Sequence, residues 1–125
     1  MPRECVKTDA APKSAFYSQA VKGAGLVFVS GQAGIDPATG QLAGNTVQEQ
    51  TRQCLKNLSA ILDAAGSSLD RILSATFILR DPEDFAGMND EWLAWFPTDP
   101  PARQGAKLPV EVPGMRVSIA VIAEG

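Results

Sequence analysis

The sequence predicts a single α+β domain over residues 1–125: a mixed sheet carrying two helices on one face, in the order β-β-α-β-α-β-β. Three observations predict it. Two segments carry a helix N-terminal signature followed by an apolar stripe. β-prone runs precede, separate and follow them. The length suits one core, since a chain of this size buries roughly two thirds of its unfolded surface without disulfide or metal.

The elements follow in order. Residues 11–20, with Pro12, Ser14 and Ser18, form an irregular lead-in, and Leu26-Val27-Phe28-Val29 is a short strand. Ser30-Gly31-Gln32-Ala33-Gly34 then places two glycines where backbone approaches a ligand or a neighbouring chain closely, and Asp36-Pro37-Ala38-Thr39-Gly40 is turn chemistry, so this stretch is expected to be a hairpin arm. Thr46 and Glu49 form a capping box, and Gly66 ends the helix they begin. Between them Val47, Leu55, Leu58, Ile61, Leu62 and Ala65 make a buried stripe opposite Gln48, Arg52, Lys56 and Asp63.

Ile72 to Leu79 is the next strand. Asp81-Pro82-Glu83-Asp84 opens a second helix, with an acid at the N-cap, proline at the first position and negative charge at the positive end of the dipole. Phe85, Met88, Trp92 and Trp95-Phe96 follow at helical spacing, a packing stripe that ends before Pro97. Ala106–Val112 and Arg116–Ala123 are expected as closing strands separated by Pro113-Gly114. In the last of them Val117, Ile119 and Val121 point towards the helices, and Arg116, Ser118, Ala120 and Ile122 point away. The sheet face without helices needs a cover, and a second copy of the chain supplies it most economically.

Composition excludes several classes of function. An apolar fraction of 45% with 20% charged residues suits a soluble domain, and no run approaches the roughly 20 apolar residues that span a bilayer. The N-terminus lacks an apolar stretch of signal type, so a cytoplasmic location is expected. There is no histidine, and Cys5 and Cys54 are far apart, so no metal site is expected; Cys54 reads as a core residue. A net charge of −3 gives no footprint for nucleic acid, which would require a local basic patch.

The chemistry concentrates on Arg103, in Pro101-Ala102-Arg103. Its planar guanidinium stays charged and grips a carboxylate or phosphate through two parallel N–H donors. A small anionic ligand follows. The alternative for Arg103 is an ion pair across a subunit contact; Tyr17 alone is a packed aromatic, Ser30 a turn residue and Asn89 a solvated helix residue.

Tyr17-Ser18-Gln19-Ala20, Val29-Ser30-Gly31-Gln32, Gln50-Thr51 with Asn57-Leu58, Asn89 with Trp92 and Phe96, and Pro101-Ala102-Arg103 together resemble the Rid family of enamine/imine deaminases, the YjgF-like or L-PSP endoribonuclease-like proteins. The resemblance covers residues 11–123. It implies a chorismate-mutase-like fold, a homotrimer with clefts between subunits, no cofactor, and hydrolysis of 2-aminoacrylate-like 2-imino or enamine acids to 2-oxo acids and ammonia. By the same resemblance Arg103 clamps the substrate carboxylate, Tyr17, Ser30 and Gly31 line the cleft, and Asn89 shapes it.

The chain departs from that pattern at two places. The closing strand of active members resembles Ile-Glu-Ile-Glu-Ala, whose second Glu positions the water; here the segment is Val117-Ser118-Ile119-Ala120-Val121, with Ala120 at that position. Two residues after the arginine, where Cys or Thr is common, stands Gly105. Deaminase and trimeric carboxylate-binding module therefore stand side by side as readings. Ser30 as an acyl-transfer nucleophile has no histidine to serve as its base.

Overall fold

The computed structural model describes residues 3–109 and 112–125. Its sheet holds β1 (Glu4–Val6), β2 (Ala20–Gly23), β3 (Leu26–Ala33), β6 (Ile72–Leu79), β7 (Ala102–Lys107) and β8 (Val117–Glu124), in the spatial order β1-β2-β3-β8-β6-β7. β6 and β7 run parallel and all other neighbours antiparallel, which makes the sheet mixed as expected. β4 (Ile35–Asp36) and β5 (Gln41–Leu42) form a separate small hairpin across the 36–40 turn.

Helix α1 spans Val47–Ala64, and its N-terminus is closed reciprocally: Glu49 N donates to Thr46 Oγ1 at 3.1 Å, and Thr46 N donates to Glu49 Oε1 at 3.2 Å. All six residues of the expected stripe are buried. So are Gln50, Asn57 and Thr51, and the first two bind backbone rather than ligand. Gln50 Nε2 donates to the carbonyls of Gly44 and Gly114 while its Oε1 accepts from Arg116 N, and Asn57 Nδ2 donates to those of Ala33 and Ile35. An amide with donors and an acceptor satisfies loop backbone that no strand reaches. Cys54 lies in the core, where burial pushes its thiol pKa up and leaves it inert.

The second helix differs from expectation. A 3₁₀ turn over Pro82–Asp84 comes first and α2 follows over Phe85–Trp95; Asp81 makes no cap bond. Its carboxylate instead pairs with Arg80 at 3.3 Å. Met88, Trp92 and Phe96 are buried as the stripe requires, whereas Phe85 is 45% exposed. A bidentate contact joins the helices: Arg52 Nε and Nη2 donate to Glu91 at 3.2 and 3.0 Å, and Trp95 Nε1 donates to the same carboxylate at 2.8 Å. These donors hold the Glu91 carboxyl below the usual carboxylate range.

Four other expectations are corrected. β1 and β2 lie where no strand was expected, and the Ser30-Gly31 segment continues β3 instead of turning. The expected strand Ala106–Val112 is replaced by β7, which begins at Ala102; residues 110 and 111 lie outside the described residues, while Leu108 and Val112 are not in strand. Parallel pairing to β6 draws Ala102 opposite Ser74 and so starts the strand early. Arg116, expected to open the last strand and point away from the helices, instead precedes β8 and pairs with Asp84 at 3.2 Å just ahead of α2, while its Nε donates to the Asn45 carbonyl at 2.7 Å. Alternation in β8 holds: Val117, Ile119 and Val121 are buried and Ser118, Ala120 and Ile122 half-buried.

Candidate functional site

Backbone register sorts the expected site residues into two patches. In β3, Val29 pairs with Val121 and Gln32 with Ile119, so Ser30 and Gly31 together oppose the single residue Ala120. This is a β-bulge, which bends a strand and re-aims side chains. A Cβ on Gly31 would lie 3.0 Å from Ser118 Oγ, so glycine keeps the bulge close to β8 on the helix-free face. Across β8, Thr76 pairs with Ala120, and Gln104 Nε2 donates to Thr76 Oγ1 at 3.2 Å. Along this row the face is small and polar, and neither Ser118 nor Ala120 supplies a carboxylate.

Tyr17 joins this first patch through the lead-in. Ser30 Oγ donates to the Ser18 carbonyl at 2.6 Å and Ser30 N to the Gln19 carbonyl at 2.9 Å. The buried Gln19 holds the lead-in from inside: its Oε1 accepts from Thr8 N, and its Nε2 donates to the carbonyls of Thr8, Ala11 and Pro12. Tyr17 is half exposed and Phe16 almost wholly so, at 95%. Against the lead-in lies a cavity of about 590 Å³ lined by Arg3, Lys7, Lys13 and residues 14–19; it includes Tyr17 and excludes Arg103. Lys13 is neutralised by Asp9.

Arg103, Gly105 and Asn89 form the second patch. Arg103 pairs with the buried Ala75, so its side chain takes the helix face of the sheet. Its guanidinium carbon lies 4.9 Å from the ring centroid of Phe77, 5.3 Å from that of Trp92 and 5.7 Å from that of Phe85. Cation–π attraction in such a cradle holds the group while leaving its N–H fork free for an anion. Desolvation among the rings pulls its pKa down from the ordinary arginine value. No carboxylate among the described residues pairs with it. Asn89 sits four residues after Phe85 and three before Trp92, which puts it on the same side of α2.

The two patches do not meet within one copy. Ser30 and Arg103 stand on strands separated by three interstrand spacings, about 14 Å, and on opposite faces. The sequence reading missed the aromatic cradle: Phe77 lay unremarked in the strand Ile72–Leu79, and Trp92 was read as part of a packing stripe. One signal was available, the bare Gly105 beside Arg103, since a missing side chain in a strand marks a close neighbour.

Residues 8–125 match the family model described as Endoribonuclease L-PSP. A RutC family protein of Pyrococcus horikoshii is 41% identical over 114 residues, 88% of this chain and 90% of its own. A mouse protein named 2-iminobutanoate/2-iminopropanoate deaminase is 38% identical over 122 residues, 97% of this chain and 90% of its own. The crystal structure of the Rid-family protein YyfA from Yersinia pestis superposes with a TM-score of 0.93 at 35% identity, covering 99% of this chain and all of the other.

Proposed function

This chain belongs to the Endoribonuclease L-PSP family, the Rid or RutC proteins, and on that premise we propose that it hydrolyses small 2-imino or enamine acids to 2-oxo acids and ammonia. The cradled Arg103, unpaired among the described residues, carries the reading. Its fork binds the substrate carboxylate and fixes the C=N carbon beside water. An enamine first takes a proton at its β-carbon and becomes the imine; water oxygen then adds to the C=N carbon as a proton reaches nitrogen, and the resulting carbinolamine passes its hydroxyl proton to nitrogen as the C–N pair leaves on ammonia. The reaction consumes only water. The cleft is proposed to form in a cytoplasmic homotrimer, where the β7 edge of one copy faces the Ser30-Gly31 bulge and Tyr17 of another. With no carboxylate at Ser118 or Ala120, backbone carbonyls and the Ser30 and Tyr17 hydroxyls remain to position the water.

Absence of that carboxylate also favours a second reading, a trimeric module that binds small carboxylates without turnover. Net charge −3 and the lack of histidine weigh against RNA cleavage. The deciding experiment couples an amino-acid oxidase to 2-oxo acid release. The wild type is expected to accelerate release, and Arg103→Ala to lose about 10- to 100-fold in kcat/KM, the weight of a charged hydrogen bond. Equal rates with and without wild type overturn the deaminase reading. Thermal stabilisation by 2-oxo acids without turnover selects the binding module.

A further inference from the structure

We infer that this cleft is built for 2-imino acids with an apolar side chain of several carbons, in preference to the three-carbon aminoacrylate class; the inference rests on the Arg103 anchor proposed above. A cavity of about 370 Å³ opens beside the anchor, walled by Phe77, Leu79, Pro82, Phe85 and Gly105. Phe77 and Phe85 belong to both features, since their rings flank the guanidinium and also line the cavity. Their centroids are 5.7 Å apart, tilted by 33°, so they form one continuous apolar wall.

The shared wall sets the preference among substrates. Arg103 and Gly105 project to the same face of β7, two residues and about 6.6 Å apart. The guanidinium lies 4.9 and 5.7 Å from the centroids of two rings that also line the cavity, so an acid held there by its carboxylate runs its side chain along this apolar wall, and the single carbon of aminoacrylate buries least against it. Gly105 contributes by having no side chain, which leaves room for the far edge of the Phe77 ring to lie over the strand at the cavity. The one charged lining group, Lys107, is exposed, so the interior offers nothing to a polar side chain. Each methylene gained in an apolar pocket is worth about 10- to 200-fold in discrimination.

The test compares kcat/KM for imines generated enzymatically from alanine, leucine, phenylalanine and glutamate. Leucine- or phenylalanine-derived imines are expected to exceed the alanine-derived one by about 10-fold or more. A ratio of one or below, or preference for the glutamate-derived imine, overturns the inference and leaves the deaminase reading standing. Should no imine be accelerated, the deaminase reading falls and binding decides the pocket: 4-methyl-2-oxopentanoate and phenylpyruvate must raise the melting temperature more than pyruvate, and equal shifts overturn it. Phe85→Ser should lower the large-to-small ratio and Phe85→Leu should keep it. An unchanged ratio in the serine variant, folded by circular dichroism, removes the cavity from the site.

Discussion

The Phe77 ring occupies the space that a side chain at Gly105 would need: a Cβ there would lie closer than 3 Å to three of its ring atoms. The two residues are register partners on β6 and β7, so the backbones cannot part without breaking the sheet, and relief must come from swinging the ring away from Phe85 and Arg103. Gly105→Ala is therefore expected to destabilise the protein by about 1–3 kcal/mol, the ordinary cost of overpacking. Combined with Phe77→Val, the loss should shrink, giving a coupling of about 1 kcal/mol in a double-mutant cycle by urea denaturation. Additive effects would refute the steric account.

Glu91 ties α2, which carries Phe85 and Trp92 of the aromatic cradle, to Arg52 of α1. Its carboxyl is held below the usual range by Arg52 first, with Trp95 adding a second donor. A lowered folded value means that the stabilisation is complete above the unfolded pKa of about 4.3 and is lost as pH falls through the folded one. Glu91→Gln should be less stable than wild type at pH 7 by about 0.5–1.5 kcal/mol, and the gap should close below about pH 4. A gap independent of pH would assign the effect to packing instead.

Ala120 faces the bulge from the middle of the helix-free face, flanked by Thr76. In the proposed inter-subunit cleft, a carboxylate placed there would meet a substrate held by Arg103 of a neighbouring copy and order the water. Ala120→Glu is expected to raise the deaminase kcat by about 10-fold or more, within the range of general acid–base assistance. An equal or lower rate in a folded variant with the wild type's oligomeric state would show that water is held elsewhere.

Much of the fold was legible because its signals are local. Thr46 and Glu49 announce α1 within four residues, and Val117, Ile119 and Val121 announce a half-buried strand by alternation. Elements fixed by distant partners were not legible. β7 begins at Ala102 because β6 pairs with it in parallel, a choice made across some 28 residues, and β1 and β2 are too short to show a period. Ser30-Gly31 carries turn composition, yet pairing with β8 absorbs it as a bulge. Arg103 and Asn89 were legible as residues worth naming. Their environment was not, since which face of a strand a guanidinium takes depends on register.

The separation of Ser30 from Arg103 has a genetic consequence. If each reaction centre draws on two copies, a variant damaged only around the bulge and another damaged only in the aromatic cradle each retain the half that the other lacks. Co-expressed, they would rebuild some intact centres and recover part of the lost turnover, an interallelic complementation that a self-sufficient protomer never displays.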